Sequence, residues 1–244
     1  MSKASITLLE DDSAFLLSFA DDTEESPWMV AADPQLLALL ALVGPAQVYV
    51  AEHRPDLYVS SELAVRFPKV NGKIGQVAPD MFAAYAPTRL RNSFDVIAEG
   101  GFPAFVLEVV SPESVRRDTR DKPRLYGLAG AREYVIFDPL GDDGQQLSGY
   151  HRDAQGGWVR WPGGTRRVLV SQVLGLTLEV HGMLLRLRDQ SGQLLPTLQE
   201  VHDARAADAR RAEAARQQAE AERQRADARI SALEAELARL RQDT

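Results

Sequence analysis

Hydrophobic residues in the middle of this 244-residue chain fall into short unbroken runs, the pattern of strands buried on both faces. The clearest run is Ala104-Phe-Val-Leu-Glu-Val-Val110, broken by Ser111-Pro112. Glu133-Tyr-Val-Ile-Phe137 is the second, stopped by Asp138-Pro139. Before them, Leu57 to Ser60, Glu62 to Phe67, and a stretch from Gln76 into Phe82-Ala-Ala-Tyr85 read as strands, with a turn at Asn71-Gly72 and a loop from Asn92 to Gly101. Pro34 to Val43 predicts a short buried helix, capped by Asp33 and stopped by Gly44-Pro45. A further helix is expected from about Asp118 to Ala129, ended by Gly130. From Leu147 to Leu187, short strands separated by Asp153-Ala-Gln-Gly-Gly157, Pro162-Gly-Gly164 and His181-Gly182 predict a β-meander. The fold class that follows is α/β, a mixed sheet flanked by helices.

From about Thr197 onward the chain has no Gly or Pro and is rich in Ala, Arg, Glu and Gln, so a long helix is predicted. Ile230, Leu233, Leu237 and Leu240 step by three, four and three, the apolar seam of a coiled coil. Upstream the same register meets Ala226, Arg223, Ala219, Arg216 and Ala212, and the seam fades. Either a solvated single helix held by charge pairs or a homodimer through this tail fits that pattern. The expected organisation is one domain over residues 1–196, with a core of about 27–140 and the meander at about 145–190, then a helical, coiled-coil-like tail over 197–244.

Cysteine is absent, which excludes disulfides and thiolate zinc sites. The first residues lack the apolar segment of a leader, and no run was expected to reach the roughly 18 apolar residues of a membrane span, so the expectation is a cytoplasmic protein with no membrane partner. Lys and Arg number 28 against 35 Asp and Glu, a net charge of −7, unlike a strongly basic nucleic-acid binder. Contact with a phosphate backbone would need a local patch, and Arg116, Arg117, Arg120, Lys122 and Arg124 form the densest one. The four histidines show no metal-ligand spacing, and no phosphate-cradling loop of the GK[ST] kind is present.

Glu108 inside an apolar strand is the anomaly of this sequence, because an ionised carboxylate there is costly unless a cation, a proton or a metal compensates it. Asp80 interrupts another candidate strand, and pairing of the two strands would bring the acids together. At 4–5 Å they would repel by about 3–4 kcal/mol at an effective dielectric of about 20. Hard oxygen ligands of this kind suit Mg2+ or Mn2+, which keep places for water and phosphate oxygens. Lys122 could supply positive charge to a phosphoryl transition state. The structural alternatives are a strand-end cap for Asp80 and a buried ion pair of Glu108 with Lys122 or Arg124.

Val77-Ala-Pro-Asp80, Gly101-Phe-Pro-Ala-Phe-Val-Leu-Glu-Val-Val-Ser-Pro112, Arg117-Asp118, Lys122, Tyr126 and Gly130-Ala-Arg-Glu-Tyr-Val-Ile-Phe-Asp-Pro139 together resemble the Uma-type family of restriction endonucleases, within the PD-(D/E)xK nuclease superfamily. The likeness runs from about Arg54 to Leu187. It implies a restriction-endonuclease-like fold and metal-dependent hydrolysis of a nucleic-acid phosphodiester, DNA being the expected substrate. Asp80 and Glu108 would be the metal ligands, joined by the backbone carbonyl of Val109, and Lys122 would complete the catalytic set. In the superfamily's common pattern a lysine lies two residues after the second acid, where this chain has Val110; the Uma-type pattern takes it from the next helix, at Lys122. Pro123 directly after Lys122 is a departure that would start the helix near Asp121 and redirect the lysine. The first helix of relatives often adds an acid or a histidine; Pro34 to Val43 has neither, leaving Asp33, Glu24 and Glu25 as stand-ins. Two other functions remain open: a catalytically silent interaction protein assembled through its tail, and a DNA-binding module that does not cleave.

Overall fold

The computed structural model describes residues 33–69, 73–111, 114–142, 144–161 and 167–242, so Glu24, Glu25 and the Asn71-Gly72 turn lie outside the described residues. Helix α1, Asp33–His53, is about twice as long as the apolar run before Gly44 suggests. Pro45 lies inside it and forfeits one backbone hydrogen bond, a cost of about 3 kcal/mol. Burial of Pro45, Ala46 and Val50 beyond the break offsets that cost and carries the helix on. By length and composition alone α1 could cross a membrane, against the expectation that no segment would; one side of it nonetheless lies in the protein core.

The strands that follow are β1 Tyr58–Ser60, β2 Val65–Pro68, β3 Ile74–Val77 and β4 Met81–Ala84. The single strand expected from Gln76 to Tyr85 is two strands, divided at Ala78-Pro79-Asp80. The expected loop at 92–101 contains β5, Phe94–Asp95, and a one-turn helix α2, Val96–Glu99. Asp95 caps that turn by accepting the N–H groups of Ile97 and Ala98, and Gly100 closes it at φ +83°, a conformation glycine tolerates.

Strand β6, Phe105–Val109, and strand β7, Glu133–Phe137, are buried along their whole length and pair in parallel, Glu108 opposite Ile136. A parallel pair needs a crossover, which passes through a π-helical turn, Arg117–Asp121, directly into helix α3, Lys122–Ala129. The sequence predicts one regular helix here, or one starting at Asp121. Pro123 explains the difference: it has no N–H and its ring would strike the carbonyl four residues back in an α-helix, whereas the wider π turn accommodates it. The Lys122 N–H donates to the Arg117 carbonyl across that turn.

Beyond β7 come β8 Leu147–Arg152, β9 Trp158–Arg160, β10 Val168–Ser171, β11 Leu176–His181 and β12 Leu184–Arg188. They do not form the one meander expected. β8 and β9 extend the central sheet, whose order is β1-β4-β6-β7-β8-β9, while β10-β11-β12 form a separate antiparallel sheet and β3-β2-β5 a third. Trp158 ties β9 to the crossover by stacking on Tyr150 and lying against Gly127, where any Cβ would stand 2.9 Å from the indole. One face of the central sheet, with Phe105, Leu107 and Val109, packs on α1 and the β10–β12 sheet. The other, with Val106 and Val110, packs beneath Leu125 and Tyr126 of α3. The fold is thus mixed α/β with helices on both faces of its main sheet. The chain divides into two units, Met1–Thr197 and Leu198–Thr244; the second is the 45-residue helix α4, Leu198–Gln242.

Candidate active site

Alternation along β6 sends Phe105, Leu107 and Val109 to one face and Val106, Glu108 and Val110 to the other, beneath α3. Glu108 is therefore only 2% exposed, and it meets two side chains of the crossover helix. The Tyr126 hydroxyl donates to its Oε1 at 2.6 Å, and Lys122 Nζ stands 3.0 Å from the same oxygen. The ammonium also lies 2.8 Å from Oδ1 of Asp118, one turn earlier. Asp118 is 1% exposed, and the Tyr134 hydroxyl donates to its backbone carbonyl at 2.8 Å.

Asp80 immediately precedes β4. The register pairs Met81 with Leu107, so Asp80 comes opposite Glu108 at the open end of the pair. Its Oδ2 accepts the Val109 N–H at 2.6 Å. Along a strand the N–H and C=O of one residue share an edge, which places the Val109 carbonyl on the Asp80 side as well. The side chain of Gln35, in the first turn of α1, donates to the Asp80 carboxylate at 3.4–3.5 Å. Asp33, the proposed stand-in from this helix, is exposed at its start.

The electrostatics follow from crowding. Burial raises the Glu108 carboxyl to about 8; Lys122 opposes this, while Asp80 and Asp118 add to it. Burial also raises Asp80, against the Val109 N–H and Lys122. Burial alone would lower Lys122, but Glu108 and Asp118 outweigh it and hold the ammonium above its ordinary range. The structure thus brings Asp80, Glu108 and Lys122 together. It adds Asp118, Tyr126 and Gln35, of which the i,i+4 spacing of Asp118 and Tyr126 about Lys122 was a visible signal and Gln35 had none.

The donor set suits a hard divalent cation. Fully ionised, three carboxylates and one ammonium carry two net negative charges, and the oxygen donors match Mg2+ or Mn2+. Among the described residues no group of three or more His, Cys, Asp or Glu side chains is arranged to hold a metal, so a backbone oxygen such as that of Val109 would have to share in it.

Of the four arginines in the basic stretch, Arg116 and Arg120 are exposed and Arg117 and Arg124 partly so. Trp158 and Trp161 serve the fold, the first as described and the second against His151. A cleft of about 490 Å³ runs beside β1, and one of about 350 Å³ is lined by Tyr85, Arg132, His151 and Trp161; neither is lined by the acid cluster.

The fold is a mixed α/β sheet with two acids facing each other across β4 and β6 and a lysine on the crossover helix. The family model described as "Putative restriction endonuclease", Uma2, matches residues 31–181, and the chain belongs to that family. A solved structure titled as "a putative nuclease belonging to DUF820" from Anabaena variabilis is similar at 13% identity and a TM-score of 0.43, covering 59% of this chain and 75% of that one. No curated protein matches the chain.

Proposed function

We propose that this protein is a divalent-cation-dependent endonuclease that hydrolyses phosphodiester bonds in DNA. The observation that carries the reading is the meeting of Asp80, Glu108 and Lys122 where β4 and β6 face each other. Asp80, Glu108 and the Val109 carbonyl would hold Mg2+ or Mn2+. Such an ion lowers the pKa of a bound water and shields the phosphate's negative charge. Lys122 is held charged at the same place, suited to stabilise charge gathering on the phosphate oxygens. Gln35 and the Val109 N–H orient Asp80, and Tyr126 orients Glu108. Arg116, Arg117, Arg120 and Arg124 would draw the nucleic-acid backbone toward the crossover helix, a contact that weakens with salt.

The test is incubation of plasmid, single-stranded DNA and RNA with the full chain and Mg2+ or Mn2+. Cleavage by wild type and its loss in Glu108→Gln are expected. Equal survival of every substrate with both proteins, and no heat of cation binding, would refute the reading.

The near-complete burial of Glu108 also favours a second reading, a catalytically silent protein of the same fold whose acids and lysine are a structural ion-pair network. Ile230 and Leu233, 54% and 53% exposed on α4, would then be the working surface, joining two copies through the tail. Light scattering before and after truncation at Glu200 tests it; an unchanged mass would remove its support.

A further inference from the structure

One oxygen of Glu108 serves two donors, the Tyr126 hydroxyl and the Lys122 ammonium. A cation arriving at this carboxylate therefore meets an ammonium already in contact with it. Expelling that ammonium into a buried site without another partner would be strongly unfavourable. Asp118 is the partner. Its Oδ1 lies 2.8 Å from Lys122 Nζ and has no other hydrogen-bond partner, so it can take over the ammonium. It is also fixed in place: its N–H donates to the Ser114 carbonyl at 2.9 Å and its own carbonyl accepts from Tyr134. Asp118 lies within the π turn that leads into Lys122, and the two side chains meet on one side of the crossover.

We infer that Lys122 is a resident counter-ion, which neutralises Glu108 while no divalent cation is bound and withdraws onto Asp118 when one binds. Asp118 is then a positioning residue for Lys122. The inference rests on Asp80 and Glu108 being cation ligands, as proposed above. It separates Asp118 from a mere contributor of negative charge: the value of its carboxylate depends on the presence of the lysine.

The experiment is calorimetric titration of Mn2+ into the full chain as wild type, Asp118→Asn, Lys122→Met and the double variant, each first checked for cooperative melting. Asp118→Asn is expected to weaken binding about tenfold with Lys122 present and less than about threefold in the Lys122→Met background, a coupling expected of residues in one network. Lys122→Met alone is expected to tighten binding. Equal losses from Asp118→Asn in both backgrounds would overturn the inference while leaving the cation site standing. A wild type that binds no Mn2+ would overturn both. Should Asp118→Asn not fold, Lys122→Met decides, and unchanged or weaker binding there rules the counter-ion exchange out.

Discussion

Glu108 and Glu133 sit on neighbouring parallel strands, the first inside an apolar run and the second at the start of one, and both are buried, yet their surroundings differ in kind. Glu133 accepts the Ser171 hydroxyl at 2.5 Å and the N–H groups of Gln172 and Val173 at 2.7 and 3.2 Å. These donors are neutral and lie at the end of β10 and in the turn after it, so folding itself supplies them and the carboxylate pins the small sheet to the large one. Burial raises the Glu133 carboxyl too, but its hydrogen bonds act against that rise. Glu108 instead faces an ammonium and two further carboxylates. A buried acid saturated by neutral donors is committed to structure; one held by an ammonium is the kind of site the proposed cation would contest.

The comparison breaks most visibly at Glu108. Glu108→Gln is expected to lower cleavage by about 10²-fold or more, the scale of losing a group that acts on the transition state. Its melting temperature at neutral pH should stay level or rise, because the carboxyl, raised by burial to about 8, ionises more readily unfolded than folded and Gln removes that cost. Retained cleavage, followed on supercoiled plasmid, would place the chemistry elsewhere. Glu133→Ala should do the reverse, costing about 2–4 kcal/mol in urea unfolding by stranding the buried donors of Ser171 and Val173, with Mn2+ affinity unchanged. The smallest effect is expected at Glu99, a carboxylate held by Arg91 at 2.8 and 3.0 Å and by the exposed Arg89 at 2.6 Å, which bring it to about 2. Its folded pKa lies below the unfolded value, so its contribution is full above about pH 4.5 and is lost as the pH falls toward 2. Glu99→Gln should cost about 0.5–1 kcal/mol at neutral pH and flatten the acid limb of the stability profile; a profile that keeps its slope would assign the titration to other groups.

Much of this was legible from local pattern. β6 and β7 declare themselves because a strand buried on both faces has few alternative readings, and β7 spans the residues expected, Glu133 to Phe137. Helix α1 was underestimated because Gly44-Pro45 is a strong local stop signal and the packing that overrides it is tertiary. The division of the expected meander between two sheets likewise depends on long-range pairing, which spacing does not encode. At the acid cluster, Asp80, Glu108 and Lys122 could be named from sequence. Gln35 could not, because a neutral amide in the first turn of a distant helix carries no pattern of its own.

Seen as a question of chain frame, the π turn at Arg117–Asp121 amounts to one residue inserted into an α-helix. A one-residue deletion there would restore α-helical winding while leaving the segments on either side near their present angular register. Asp118 would then stand three residues before Lys122 instead of four, still on the same side of the helix. The cost falls on Pro123, whose ring would meet the carbonyl four residues back, so the crossover tolerates substitution at the exposed Thr119 or Arg120 better than a loss of length.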